Sequence, residues 1–106
     1  MQIEIVNRNL AGDPSAVARA KERARSILSR LARRVDRVVV KVEALAGRAG
    51  MHSRECLVLV RLRGGDEVVV RKRGEGVFDL VYSALRQARA AARKRLDRRR
   101  SRNGGR

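Results

Sequence analysis

The chain has 106 residues, with 27 basic side chains against 11 acidic ones and a net charge of +16. That length holds one domain and excludes two ordinary ones, and no apolar run approaches the roughly 18 residues that a membrane span needs. A single cysteine excludes an internal disulfide and fits a reducing, cytoplasmic setting, and a field of this sign calls for a polyanionic partner, nucleic acid before membrane.

The opening QIEIV alternates, with Ile3 and Ile5 on one face and Gln2, Glu4 and Val6 on the other. It reads as a short strand and not as a signal peptide. NRNLAG is a loop. Asp13-Pro14 marks a helix start, with Asp as N-cap and Pro at the first helical position. Val17, Ala20, Ala24, Ile27, Leu28, Leu31 and Val35 then recur at steps of three and four, predicting a helix over 14–35. Arg19, Arg23, Arg30, Arg33 and Arg34 fall on an adjoining face of it. RVVVKVEAL predicts a second strand over about 37–46. AGRAGMHS is a glycine-containing connection. ECLVLVRLR is a third strand with Cys56, Val58, Val60 and Leu62 on its apolar face. GGD signals a hairpin, and EVVVRKR is a fourth strand with Val68 and Val70 inward.

After the break at GEG, Phe78, Val81, Tyr82, Leu85, Ala88, Ala92 and Leu96 predict a helix over 77–99. DRRRSRNGGR, after Leu96, has no apolar residue. Residues 1–97 are therefore expected to fold, and 98–106 to fray into a disordered basic tail.

The order β-α-β-β-β-α defines an α+β fold. The first two strands, joined through a helix, are expected to pair in parallel with a right-handed crossover, and the next strands to follow as hairpins. The economical packing is a four-stranded mixed sheet of order 1-2-3-4 with both helices on one face. The other face would mix charges with Val39, Leu57, Leu59 and Val69.

His52 and Cys56, the only residues of their types, raise the question of a reactive pair. Four strand residues span about 13 Å, beyond contact, and zinc wants three or four ligands. They read as a loop histidine and a core cysteine, with no metal site, no cofactor and no catalytic residue. RGGD and RGEG lack the Gly-Lys-Ser/Thr context of a phosphate loop and read as turns. Glu43 and Glu55 face each other across a hairpin and are expected to pair with Lys41 or Arg54. None of this describes an enzyme.

The basic residues carry the functional signal. Residues 86–106 hold ten cations against Asp97, and Arg86, Arg89 and Arg93 share one side of the last helix. Their signs are not mixed, so pairing along the helix does not explain them, and like charges at this spacing cost stability. Arginine, 23 of the 27 cations, forks onto phosphate oxygens. The chain has no Trp, and Phe78 and Tyr82 lie on an apolar helix stripe, so no aromatic is left on the sheet to stack bases. What remains is phosphate-backbone and shape recognition of folded RNA, or nonspecific duplex binding. A membrane surface is the weaker partner, because the helices spend their apolar stripes on the sheet.

The opening MQIEI..RN, the element order, the loop leading to RECLVLVRL and the RK near the end of the last helix resemble the ribosome hibernation promoting factors. The family is also called ribosome-associated inhibitor or sigma-54 modulation protein. The resemblance covers about residues 1–96. It implies a translation-silencing factor that binds 16S rRNA of the small ribosomal subunit, in the channel used by mRNA and tRNA, through basic helix residues. By position it assigns RNA contact to Arg8 and to Arg93 with Lys94. Arg19, Arg23, Arg30, Arg33, Arg34, Arg86, Arg89 and Arg95 join them from the surface pattern alone. The length resembles the family's short form, which has no dimerisation domain of its own. The alternative is a general RNA- or DNA-binding module without a ribosome-specific role.

Overall fold

A computed structural model describes residues 1–8, 14–45 and 53–104, including the side chains of all but 7, 8, 14 and 101–104. The expected Asp13 cap, the loop at 9–12 and the connection carrying His52 lie outside the described residues.

The strands are β1 (Gln2–Arg8), β2 (Val35–Ala44), β3 (Arg54–Leu62) and β4 (Glu67–Gly74). The helices are α1 (Pro14–Ile27) and α2 (Val77–Gly104). The sheet has the expected order β1-β2-β3-β4, with β1 parallel to β2 and the remaining pairs antiparallel. Alternation decides which side is covered. Ile3, Val38, Val40, Val42, Cys56, Val58, Val60, Leu62, Val68 and Val70 are buried against the helices. β-branched valines fit this half-covered pleated surface. The helices supply Ala20, Ala24, Leu80, Val81, Ala84, Leu85, Ala88, Ala92 and Leu96, and the turn after α1 supplies Leu28. The opposite face is open, and Val39, Leu59 and Val69 lie side by side across it, Val69 being 52% exposed.

Two boundaries differ from expectation. The α-helix stops at Ile27, and Ser29–Arg34 form a 3-10 helix. Leu28 N–H still donates to Ala24 O at 3.0 Å, but Leu31 N–H reaches only to Leu28 O, at 2.9 Å. This tighter winding, common at helix ends, brings Val35 into extended conformation as the first residue of β2, opposite Leu62. Leu31 and Val35 keep the apolar spacing of a helix and are buried as it implied, but Val35 serves a strand. Asp36 is then bulged out of the register between Val35 and Arg37.

The second difference is at the end of α2. A disordered tail was expected from residue 98, but the helix continues to Gly104. Arginine is a good helix former, and no glycine or proline interrupts the run before Gly104. Arg99 also fastens the helix to the β3–β4 turn. Its Nε and Nη2 donate to Asp66 Oδ2 at 2.9 and 2.6 Å, and its Nη1 donates to Arg63 O at 2.6 Å. Gly64, at φ +97°, lets the guanidinium pass: a Cβ there would meet Arg99 Nη2 at 3.3 Å. Asp66→Ala should therefore increase hydrogen exchange in the last turns of α2, while lowering global stability by no more than about 1 kcal/mol, since the pair is partly solvated. Unchanged exchange there would mean that the helix end holds without the clamp.

Candidate nucleic-acid interface

α1 and α2 run side by side in the same direction. The Arg19 guanidinium lies over the Phe78 ring at 5.0 Å, and Arg23 lies over Tyr82 at 4.5 Å. The partners advance together by four residues on each helix, which fixes the parallel sense. Tyr82, Arg86, Arg89 and Arg93 recur at steps of four, three and four, so they form one ridge along α2. The ridge starts at the seam between the helices.

Beyond Leu85 the buried stripe of α2 narrows to Ala88, Ala92 and Leu96, about one residue per turn. The rest of the helix circumference is left to exposed cations: Arg86, Arg89, Arg93, Lys94, Arg95, Arg98 and Arg100. At 1.5 Å per residue this cationic length covers roughly 21 Å. The 3-10 helix adds exposed Arg30, Arg33 and Arg34. Arg63 connects these two groups, because its N–H donates to Arg34 O and its carbonyl accepts from Arg99. The structure thus brings the 3-10 cations and the second half of α2 to one end of the sheet.

Arg8 does not join them. It closes β1 opposite Glu43, at the end of the sheet where both helices begin. Arg93 and Lys94 lie about 24 Å further along α2.

Acids are sparse on this surface, where Asp97 is the exposed carboxylate on the second half of α2. Ion pairs among the described residues are Glu4–Arg37, Asp36–Arg63, Glu55 with Arg71 and Arg73, and Asp66–Arg99. All lie on the sheet or its hairpin end. Glu55 takes Arg73 at 3.1 Å and Arg71 at 3.6 Å, across the strand pair, in place of the expected Lys41 or Arg54. Within the described residues, none of Arg30, Arg33, Arg34, Arg86, Arg89, Arg93, Lys94 and Arg95 is paired with a carboxylate. Unpaired like charges repel along the helix, and a polyanion relieves that repulsion.

Sequence reasoning missed Lys21 and Arg25. They line a hollow with Met1, Gln2, Glu4 and Arg37 at the β1 edge, on the side of α1 away from the seam. Their i, i+4 spacing was the available signal. It also missed the Arg–aromatic contacts, which require knowing that the two helices are neighbours.

Cys56 is fully buried, as its place on the apolar face implied. Burial pushes its thiol up to about 11, so it stays protonated near neutral pH and is a poor nucleophile. Among the described residues no group of three or more His, Cys, Asp or Glu converges on a point where a metal could bind. None of the described helices is long and apolar enough to cross a membrane.

No family model matches the sequence, and no curated protein matches it. Solved structures do. The N-terminal domain of Thermus thermophilus Protein Y aligns with a TM-score of 0.64 at 21% identity, covering 89% of this chain and 98% of that one. A ribosomal subunit interface protein from Coxiella burnetii aligns with a TM-score of 0.68 at 11% identity, covering 92% of this chain and 99% of that one. Both matches run over nearly the whole of each chain, and this chain has the fold of these two proteins.

Proposed function

We propose that the protein is a ribosome hibernation factor. It binds 16S rRNA in the mRNA and tRNA channel of the small subunit and silences translation by occupying that channel. The observation that carries this reading is the set of exposed cations on α2 and the 3-10 helix that have no carboxylate partner among the described residues, held on one sheet. Two further supports are the fold shared with a ribosomal subunit interface protein and the sequence resemblance described above. The mechanism is occlusion: helix-borne Arg and Lys neutralise phosphates, and the sheet fixes their spacing. No step of covalent chemistry is required.

Sedimentation with cell extract tests it. The protein should migrate with small subunits or whole ribosomes through a sucrose gradient. Affinity for isolated small subunits should fall about a thousandfold or more between 50 and 200 mM salt, if six or more phosphates are contacted. Equal affinity for random duplex RNA and DNA, with no preference for ribosomes, would overturn the ribosomal role and leave a general nucleic-acid binder.

A further inference from the structure

The contacts between Arg19 and Phe78 and between Arg23 and Tyr82 do more than join two helices. We propose that they form a two-rung stacking site for unpaired nucleobases, so that the interface grips single-stranded nucleotides as well as phosphates. This rests on the RNA-binding reading above and adds the kind of nucleotide the seam accepts.

Each guanidinium carbon lies over a ring, at 5.0 and 4.5 Å from its centroid. Arg19 and Arg23 are exposed to solvent, while the rings beneath are half-buried and Tyr82 packs against the core. A guanidinium is planar and weakly hydrated, and it stacks. Unpaired bases in RNA are recognised by stacking on aromatic and Arg planes. The ring contact supplies the orientation in advance and limits the rotamer freedom that a base would otherwise have to freeze out.

The spacing selects the form of the strand. The two ring centroids are 6.2 Å apart, and Arg19 and Arg23 sit about one helical turn apart on α1. Stacked neighbours in a duplex rise by only about 3.4 Å, and their faces are covered. Two rungs at about twice that spacing fit an extended strand whose bases are splayed.

The hollow beside the rungs is lined by Arg19, Glu22, Arg23 and Ser26. Glu22 makes it a poor phosphate site, unlike the acid-free ridge of Arg86, Arg89 and Arg93. A carboxylate and a hydroxyl there suit the edge of a base, where Glu22 accepts from an amino group. The seam and the ridge therefore divide the work: bases at the seam, phosphates along α2.

The test compares a single-stranded RNA of about twelve nucleotides with a blunt duplex of the same length. Arg23→Lys keeps the charge and removes the plane. Arg23 is exposed, so the fold is retained, which circular dichroism checks. The variant should lose about tenfold in affinity for the single strand and little for the duplex, with an unchanged salt slope on both. Tyr82 is the only tyrosine and the chain has no tryptophan. Intrinsic emission of the wild-type protein therefore reports on this ring, and it should fall further on saturation with the strand than with the duplex. Equal losses for strand and duplex, or none, would overturn the stacking site while leaving the phosphate interface standing. A wild-type protein that bound neither RNA would also overturn the stacking site, and sedimentation with small subunits alone would then decide the phosphate interface.

Discussion

Replacing Arg86, Arg89 and Arg93 together with glutamate is expected to weaken binding to the small subunit by about a thousandfold or more. Each residue is exposed, lies on one ridge of α2 and has no carboxylate partner among the described residues. A charge-assisted hydrogen bond contributes about 1.5–3 kcal/mol, and three such losses alone reach that factor before repulsion is counted. The slope of log affinity against log salt should shrink by about 3, one unit per lost phosphate contact. The fold should not suffer. Glutamate is a good helix former, and removing three like charges eases repulsion on α2, so the melting temperature should stay level or rise. The counterpart is Arg37, Arg61 and Arg71 changed to glutamate on the open sheet face, where binding should hold within a few-fold. Loss of binding from the sheet triple with retention in the helix triple would move the interface to the other side of the molecule.

The cationic ridge of α2 was legible in the sequence because like charges on one helical face are a local pattern. Arg86, Arg89 and Arg93 could be placed together from their spacing alone, and the structure leaves them exposed and together. What could not be read is how distant segments meet. That Arg30, Arg33 and Arg34 share an end of the sheet with Arg99 depends on the backbone of Arg63, which bonds to Arg34 and Arg99 at once. That Arg19 and Arg23 cover aromatic rings depends on the parallel neighbourhood of α1 and α2. The assignment of Phe78 and Tyr82 to an apolar stripe described their half-buried rings and missed what lies over them.

The sheet shows the same division. Alternation in IEIV, RVVVKVEA and ECLVLVRL determined the buried face, and the element order determined a parallel pair followed by hairpins. Helix ends were less legible. Ile27, Leu28, Leu31 and Val35 keep helical spacing through a change from α-helix to 3-10 helix to strand, because a buried residue is apolar in any of the three. The end of α2 was misread for the opposite reason. A run without apolar residues adds nothing to the core, yet it continues as helix, with high helix propensity and one salt bridge to a hairpin turn.

Leu85→Ala separates the scaffold from the surface. Leu85 is fully buried where α2 is widest in apolar contact, just before the stripe thins to alanines. The neighbours along that stripe, Ala84, Ala88 and Ala92, are too small to fill a lost isobutyl group. A cavity should therefore persist, and the cost should fall near the middle of the 2–5 kcal/mol range for buried leucines, about 3 kcal/mol. For a domain of this size, whose total stability is only about 5–15 kcal/mol, that lowers the melting temperature by roughly 12–24 °C. Binding should respond in the opposite way to the arginine triple. Below the new melting temperature the folded fraction keeps its ridge of cations, so affinity and salt slope should match the wild type. Above it, binding should vanish with the helical circular dichroism signal. A Leu85→Ala protein that melts normally would mean that the core repacks around the site. One that stays folded yet binds weakly would mean that the packing of α2 on the sheet itself sets the spacing the RNA requires.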